Sequence, residues 1–115
     1  MHVLLVTTDL MLISSVGGAA QMAGHSFQCD TRTDVIRDRL SDDQTLLCVD
    51  LSAVPAGPSE LASLSSPRVL QNAIAFGPHV HTARLEAASS AGFGQVLSRG
   101  QFVSRLNQLL AGKPS

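Results

Sequence analysis

One carboxylate stands at the end of the most apolar stretch of the chain. Leu46-Leu47-Cys48-Val49-Asp50 runs into Asp50 without polar alternation. A run of that kind reads as a strand covered on both faces, in the middle of a parallel sheet. Ligands and chemistry collect at the carboxyl ends of such strands, which makes Asp50 the first candidate functional group. A second apolar run, Val3-Leu4-Leu5-Val6, ends in the polar triplet Thr7-Thr8-Asp9. Arg99, just after the short segment Gln95-Val96-Leu97, is the cation expected to meet Asp50 at the mouth of the sheet. An Asp50–Arg99 contact reads equally well as a structural ion pair, because removing one buried partner strands the other charge.

Gly77-Pro78-His79-Val80-His81 is the other unusual local stretch. Two imidazoles this close are candidate ligands for Zn²⁺ or another borderline metal, with Asp9 or Asp50 as an oxygen ligand. On a formed helix, however, residues two apart point about 200° from each other, so His79 and His81 also fit ordinary surface positions. A mouth lined by Thr7, Thr8, Gly77 and His79 has room for a small ligand, since Gly77 contributes no side chain. Gly92-Phe93-Gly94 precedes a strand instead of following one, and reads as a helix-to-strand turn rather than a phosphate loop.

The elements that must position these groups alternate along the chain. Strands are expected over Val3–Val6, Ser26–Cys29, Leu46–Asp50, Asn72–Phe76 and Gln95–Leu97. Helices are expected over residues 10–23, from Asp30-Thr31 to Leu40, over Glu60–Leu64 with Pro58 opening it, over His79–Ser90 and over Gln101–Leu110. Arg68–Gln71 receives no assignment. The first helix is expected to bury Leu10, Ile13, Val16, Ala20 and Met22, with Asp9 as its N-cap. Its Gly17 and Gly18 lower helix stability by up to about 1 kcal/mol each and imply a close approach by a neighbouring element. Val35, Ile36 and Leu40 are expected to face inward from the second helix, and Phe102, Leu106, Leu109 and Leu110 from the last. In the helix over His79–Ser90, an inward stripe of Val80, Ala83 and Ala87 leaves Leu85 outward with His81 and Glu86, and Arg84 at the flank. Strand and helix alternating through short connections imply a parallel sheet with helices on both faces and right-handed crossovers.

Composition narrows the function. The chain has 115 residues, enough for one domain over 1–115, with a formal net charge of -1 and 15% charged residues. That balance carries no electrostatic footprint for nucleic acid or for an anionic membrane. No segment reaches the roughly 20 apolar residues that span a bilayer. Met1-His2-Val3-Leu4-Leu5-Val6 lacks the pattern of a signal peptide, so a cytoplasmic location is expected. Cys29 and Cys48 both fall in expected strands and read as reduced, buried small hydrophobes. Lys113-Pro114-Ser115 reads as a frayed tail.

The order of elements and the residues at their ends resemble a response-regulator receiver domain. The resemblance covers nearly the whole chain. It rests on Val3-Leu4-Leu5-Val6 with its polar triplet, on Leu47-Cys48-Val49-Asp50-Leu51 with Pro55 nearby, on Ala91-Gly92 before the fifth strand, and on Arg99 with Phe102 after it. It implies a flavodoxin-like (βα)5 three-layer sandwich with strand order 2-1-3-4-5. It also implies that Asp50 matches the family's phosphoacceptor. The remaining positions depart from the family pattern. Thr7 and Thr8 match the acidic pair that holds Mg²⁺, with Asp9 one place further on. Gly77 replaces the Ser or Thr that contacts the phosphoryl group, and Val96 replaces the switching aromatic residue. Arg99 replaces the Lys, Gly100 the following Pro, and Pro55 lies one residue late. Arg keeps the charge and changes the geometry.

Phosphoryl transfer depends on positioned charge, so a pocket of Thr7, Thr8, Asp9, Gly77 and Arg99 around Asp50 implies a degenerate, non-enzymatic receiver-like signalling module. It is expected to work without a cofactor, by contact with a protein partner or by homodimerisation. The surface expected to carry that contact combines Arg84, Leu85, Val96, Arg99 and Arg105. The alternatives are a phospho-accepting receiver with atypical Mg²⁺ ligands, and a small-molecule or metal-binding flavodoxin-like domain.

Overall fold

The computed structural model describes residues 1–54 and 57–111. Pro55 and the tail Lys113-Pro114-Ser115 lie outside the described residues. Strands β1 (His2–Val6), β2 (Ser26–Cys29), β3 (Thr45–Asp50), β4 (Ile74–Gly77) and β5 (Gln95–Ser98) form one sheet in the order β2-β1-β3-β4-β5. Every neighbouring pair is parallel. β1 and β3 are buried along their whole length, which is why both read as unbroken apolar runs. Their register pairs Leu4 with Leu47 and Val6 with Val49, while Asp50 pairs with Phe76 and Gly77 with Ser98. The ends of β1, β3, β4 and β5 therefore share one rim.

Helices cover both faces. Helix α1 (Leu10–Met22), α6 (Arg99–Ser104) and α7 (Leu106–Leu109) bury Leu12, Val16, Phe102 and Leu106 against Val3, Leu5 and Cys48. Helices α2 (Thr33–Leu40), α3 (Pro58–Leu64), α4 (Pro67–Asn72) and α5 (Thr82–Ala91) bury Ile36, Leu61, Val69 and Ala88 against Leu4, Leu47 and Val49. The result is three layers with a separate half-core on each side of the sheet. Phe76 and Phe102 stack with ring centroids 4.0 Å apart and planes 7° from parallel. Such a pair contributes about 0.5–1.5 kcal/mol beyond its area and ties α6 to β4.

Local chemistry sets the ends of these elements. Asp9 caps α1 by accepting from the Met11 and Leu12 amides. Ser98 and Gln101 form a reciprocal capping box at the start of α6. Gly92 ends α5 in the left-handed region, at φ 101°. Gly94 has a different reason to be glycine: a Cβ there would lie 1.8 Å from the Gln71 carbonyl oxygen. The Gly92-Phe93-Gly94 turn is thus a helix-to-strand connection in which the chain passes against the end of α4.

Several expectations need correction. Arg68–Gln71 is helical, because Ser66 caps the Val69 amide and Pro67 occupies the first helical position. The last helix divides at Arg105 into α6 and α7. In α1 the inward residues are Leu12, Val16 and Ala20; Leu10 is 80% exposed and Met22 is 92% exposed. Val35 also faces outward. α5 begins at Thr82 instead of His79, which shifts its phase, so Val80, Ala83 and Ala87 are exposed while Leu85 and Ala88 pack inward. Gly17 does meet a neighbour, since its Cβ would sit 3.2 Å from the Phe27 ring, but nothing among the described residues beyond its own helix lies within 4 Å of one on Gly18.

Candidate functional site

The rim at the carboxyl ends of β1 and β3 brings Thr7, Asp9, Asp50 and Arg99 together through adjacent hydrogen bonds. Asp50 is 4% exposed. Its Oδ2 accepts from the Thr7 hydroxyl at 2.7 Å, and its Oδ1 accepts from the Ser52 amide at 3.0 Å. Ser52 lies two residues on, the position from which an aspartate closes an Asx turn. The Thr7 oxygen in turn accepts from the Asp9 amide at 3.1 Å, so one hydroxyl links the ends of both strands. Thr8 is exposed and takes no part.

Asp9 is engaged separately. Its Oδ1 receives the α1 amides of Met11 at 2.9 Å and Leu12 at 3.3 Å, while its Oδ2 is ion-paired with the Arg99 guanidinium. Arg99, together with the Leu12 amide, holds the Asp9 carboxyl below the usual carboxylate range. The expected Asp50–Arg99 contact is thus replaced by Asp9–Arg99. The physical reason is placement: α6 starts at Arg99, beside the amino end of α1, and Asp50 already has two donors at closer quarters.

Gly77 is buried at the end of β4. A Cβ there would meet Leu51 at 3.6 Å and Leu85 at 3.9 Å, ordinary van der Waals distances. The surroundings of that position are therefore apolar as well as lacking a hydroxyl. His79 and His81 are exposed. Among the described residues, no group of three or more His, Cys, Asp and Glu side chains could hold a metal ion. Cys48 is buried and its thiol is pushed up to about 12 by burial, so it is a packing residue with no nucleophilic character. Cys29 is half-buried, and burial raises its thiol too.

Two features beside the rim escape a reading of the sequence. One is the Ser52 amide, whose only signal is its spacing from Asp50. The other is an open cleft of about 420 Å³ lined by Leu51, Ser52, Ala53, Val54, Gly57, Pro58 and Arg84. Of the residues expected to form an interaction surface, Arg84 and Arg105 are exposed. Arg99 is partly exposed and paired with Asp9, and Val96 is half-buried against the second half-core. Leu85 is the correction: it packs into that same half-core and does not present its side chain outward. Among the described residues, no helix is long and apolar enough to cross a membrane.

Comparison with known proteins places this geometry. No family model matches the chain, and no curated protein sequence does. Solved structures do. A response regulator receiver domain from Rhodospirillum rubrum superposes with a TM-score of 0.72 at 11% identity, covering 96% of this chain and 92% of that one. An atypical orphan response regulator protein, described by a phosphorylation-independent regulatory mechanism, gives 0.67 at 13% identity over 100% and 99% of the two chains. FixJ-N gives 0.59 at 11% identity over 100% and 97%. These likenesses, with the parallel sheet in the order β2-β1-β3-β4-β5, show that the chain has the flavodoxin-like fold of response-regulator receiver domains.

Proposed function

We propose that this chain is a degenerate receiver-like signalling module over residues 1–115, which acts by contact with a protein partner and without Mg²⁺-dependent phosphorylation of Asp50. The observation that carries this reading is the way the rim satisfies itself. Both Asp50 oxygens are taken by neutral donors within the chain, and the second carboxylate, Asp9, is held by Arg99 and by the amides it caps. Mg²⁺ requires near-octahedral oxygen geometry and is usually fixed by one or two carboxylates beside waters and phosphate oxygens. Asp50 is the buried carboxylate of the rim, and the hydroxyl beside it is neutral. The donor set does not fit the ion, and no step is routed through it. The orphan regulator, similar in fold, is described by a phosphorylation-independent mechanism, which supports the same reading for this chain.

The partner-facing surface in this reading is formed by α5, β5 and α6, with Arg84, Glu86 and Arg105 exposed and Val96 and Arg99 partly buried. A cytoplasmic location and the absence of nucleic-acid or membrane partners belong to the same proposal, supported by the near-neutral net charge. Incubation with acetyl phosphate and Mg²⁺, followed by intact mass, tests the non-catalytic part. In the competing reading, an Asp50 oxygen bonds to phosphorus, acetate leaves, and the chain gains the mass of one phosphoryl group. The expected result is no gain. A gain abolished by Asp50→Ala would falsify the proposal in favour of a phospho-accepting receiver.

A further inference from the structure

Three polar side chains stand in a row at the amino ends of β2, β1 and β3. Ser26, His2 and Thr45 are in register, and neighbours in register on parallel strands project from the same face. His2 alternates with Leu4 and Val6, so this is the face that α2 covers. The row is unevenly served. His2 Nδ1 lies 2.6 Å from the Ser26 hydroxyl, whereas His2 Nε2 and Thr45 Oγ1 are buried with no hydrogen-bond partner among the described residues. His2 is 8% exposed, while Ser26 is open to solvent. Water therefore stands one side chain away from a buried imidazole. β2 is also an edge strand of four residues, held in the sheet by β1 alone.

A neutral imidazole fits this row, because one ring nitrogen meets Ser26 and the ring carries no charge. Protonation makes both nitrogens donors. Nε2–H then stands, charged, where no acceptor lies within hydrogen-bond reach. The groups facing the ring pull both ways. Arg39 on α2 and the Met1 amino group disfavour the charge, and the Gln28 side chain on β2 and Asp42 after α2 favour it. Asp42 is already engaged, since its Oδ1 accepts from the Gln44 amide. Burial is the largest influence and favours the neutral ring.

We infer that His2 is a proton-sensitive latch on the edge strand. Neutral, it holds Ser26 and keeps the amino ends of β1 and β2 together. Protonated, the ring leaves Ser26 for water, and the amino end of β2 opens while the central strands stay closed. Two fixed points keep the opening local. Directly before β2, His25 Nε2 lies 2.9 Å from the Leu110 carbonyl oxygen, a contact for which either protonation state of that ring supplies a donor. Directly after β2, the Asp30 amide donates to the Leu5 carbonyl. The latch is at the opposite end of the sheet from Asp50 and stands whether or not Asp50 accepts a phosphoryl group.

Hydrogen exchange of the whole chain at about pH 7.5 and about pH 5.5, corrected for intrinsic rates, tests this alongside the His2 ring resonances. A proton bound only by the open form favours opening by up to about tenfold per pH unit. Protection over Ser26–Cys29 is expected to fall about tenfold at the lower pH, in step with titration of the His2 ring, while that over Thr45–Asp50 is unchanged. His2→Gln takes up no proton and is expected to remove the fall, with circular dichroism as the check on folding. Ser26→Ala, at an exposed position, removes the catch and keeps the ring. It is expected to lower protection of β2 already at the higher pH. Protection that is equal at both pH values, that falls as much over Thr45–Asp50, or that still falls in folded His2→Gln overturns the latch. So does a Ser26→Ala chain as protected at the higher pH as wild type.

Discussion

The two rims of the sheet handle their polar groups in opposite ways. At the carboxyl rim, Asp50, Thr7 and Asp9 satisfy one another, the Ser52 amide and Arg99. At the amino rim, His2, Ser26 and Thr45 lie side by side in register. There His2 Nδ1 and the Ser26 hydroxyl are 2.6 Å apart, while His2 Nε2 and Thr45 Oγ1 are buried with no hydrogen-bond partner among the described residues. A buried polar atom without a partner costs about 1–3 kcal/mol. The difference teaches where this fold keeps its slack. The rim at which such sheets usually meet ligands is closed by its own bonds, and the unspent polar capacity lies at the other end.

The largest expected effect breaks the amino rim by sterics. Gly94→Ala drives a Cβ into the Gln71 carbonyl, and overpacking against backbone is expected to cost about 3 kcal/mol or more, read by urea denaturation. Next comes the carboxyl rim. Asp50→Ala strands the Thr7 hydroxyl and the Ser52 amide, and is expected to cost about 1–3 kcal/mol in the same assay. An Asp50→Ala variant as stable as wild type would mean that the rim is not self-satisfied. Thr45→Val sharpens the comparison from the other side. It removes an orphaned hydroxyl at nearly constant shape and is expected to stabilise by up to about 1 kcal/mol.

The smallest effects are in pH dependence, and they separate the rims by window. Burial, with help from Arg39, lowers the His2 pKa below 6.5, while the Gln28 side chain and, more weakly, Asp42 oppose that shift. The unfolded chain therefore takes up this proton first, and stability falls as pH is lowered through and below 6.5. His2→Gln is expected to flatten that slope in melting temperature. Asp9 has the same sign of slope at its own rim, in a lower pH window. Its carboxyl lies below 3.8 in the fold, so its contribution is complete above that value and is lost as pH falls beneath it. Arg99→Gln is expected to remove most of this acid-side dependence.

The strand framework was legible because β1 and β3 are covered on both faces, and continuous apolar sequence has few other readings. The location of Asp50 and Thr7 at one rim followed from it. The bond between them did not, because a threonine hydroxyl at a strand end carries no sign of where it donates. Arg99 found Asp9 across 90 residues of chain, a pairing fixed by where α6 starts. Helix phase failed where the sequence offered no contrast. α1 has no charge to mark its solvent side, and apolar or small residues stand at almost every position, so a stripe through Leu10 and Met22 fits as well as the one through Leu12 that the fold buries. In α5 the error came from placing the start at His79. The 81-to-78 turn after Pro78 delays the helix to Thr82 and sends Leu85 inward.

The most direct measurement is a titration of Mg²⁺ with beryllofluoride, followed by the amide resonances of Asp9, Ser52 and Gly77. With both acids committed inside the chain, those resonances are expected to show no saturable shift and the melting temperature no rise. A saturable one-to-one shift, accompanied by thermal stabilisation and lost in Asp50→Asn, would contradict the account and make this rim a metal-dependent phosphoacceptor site.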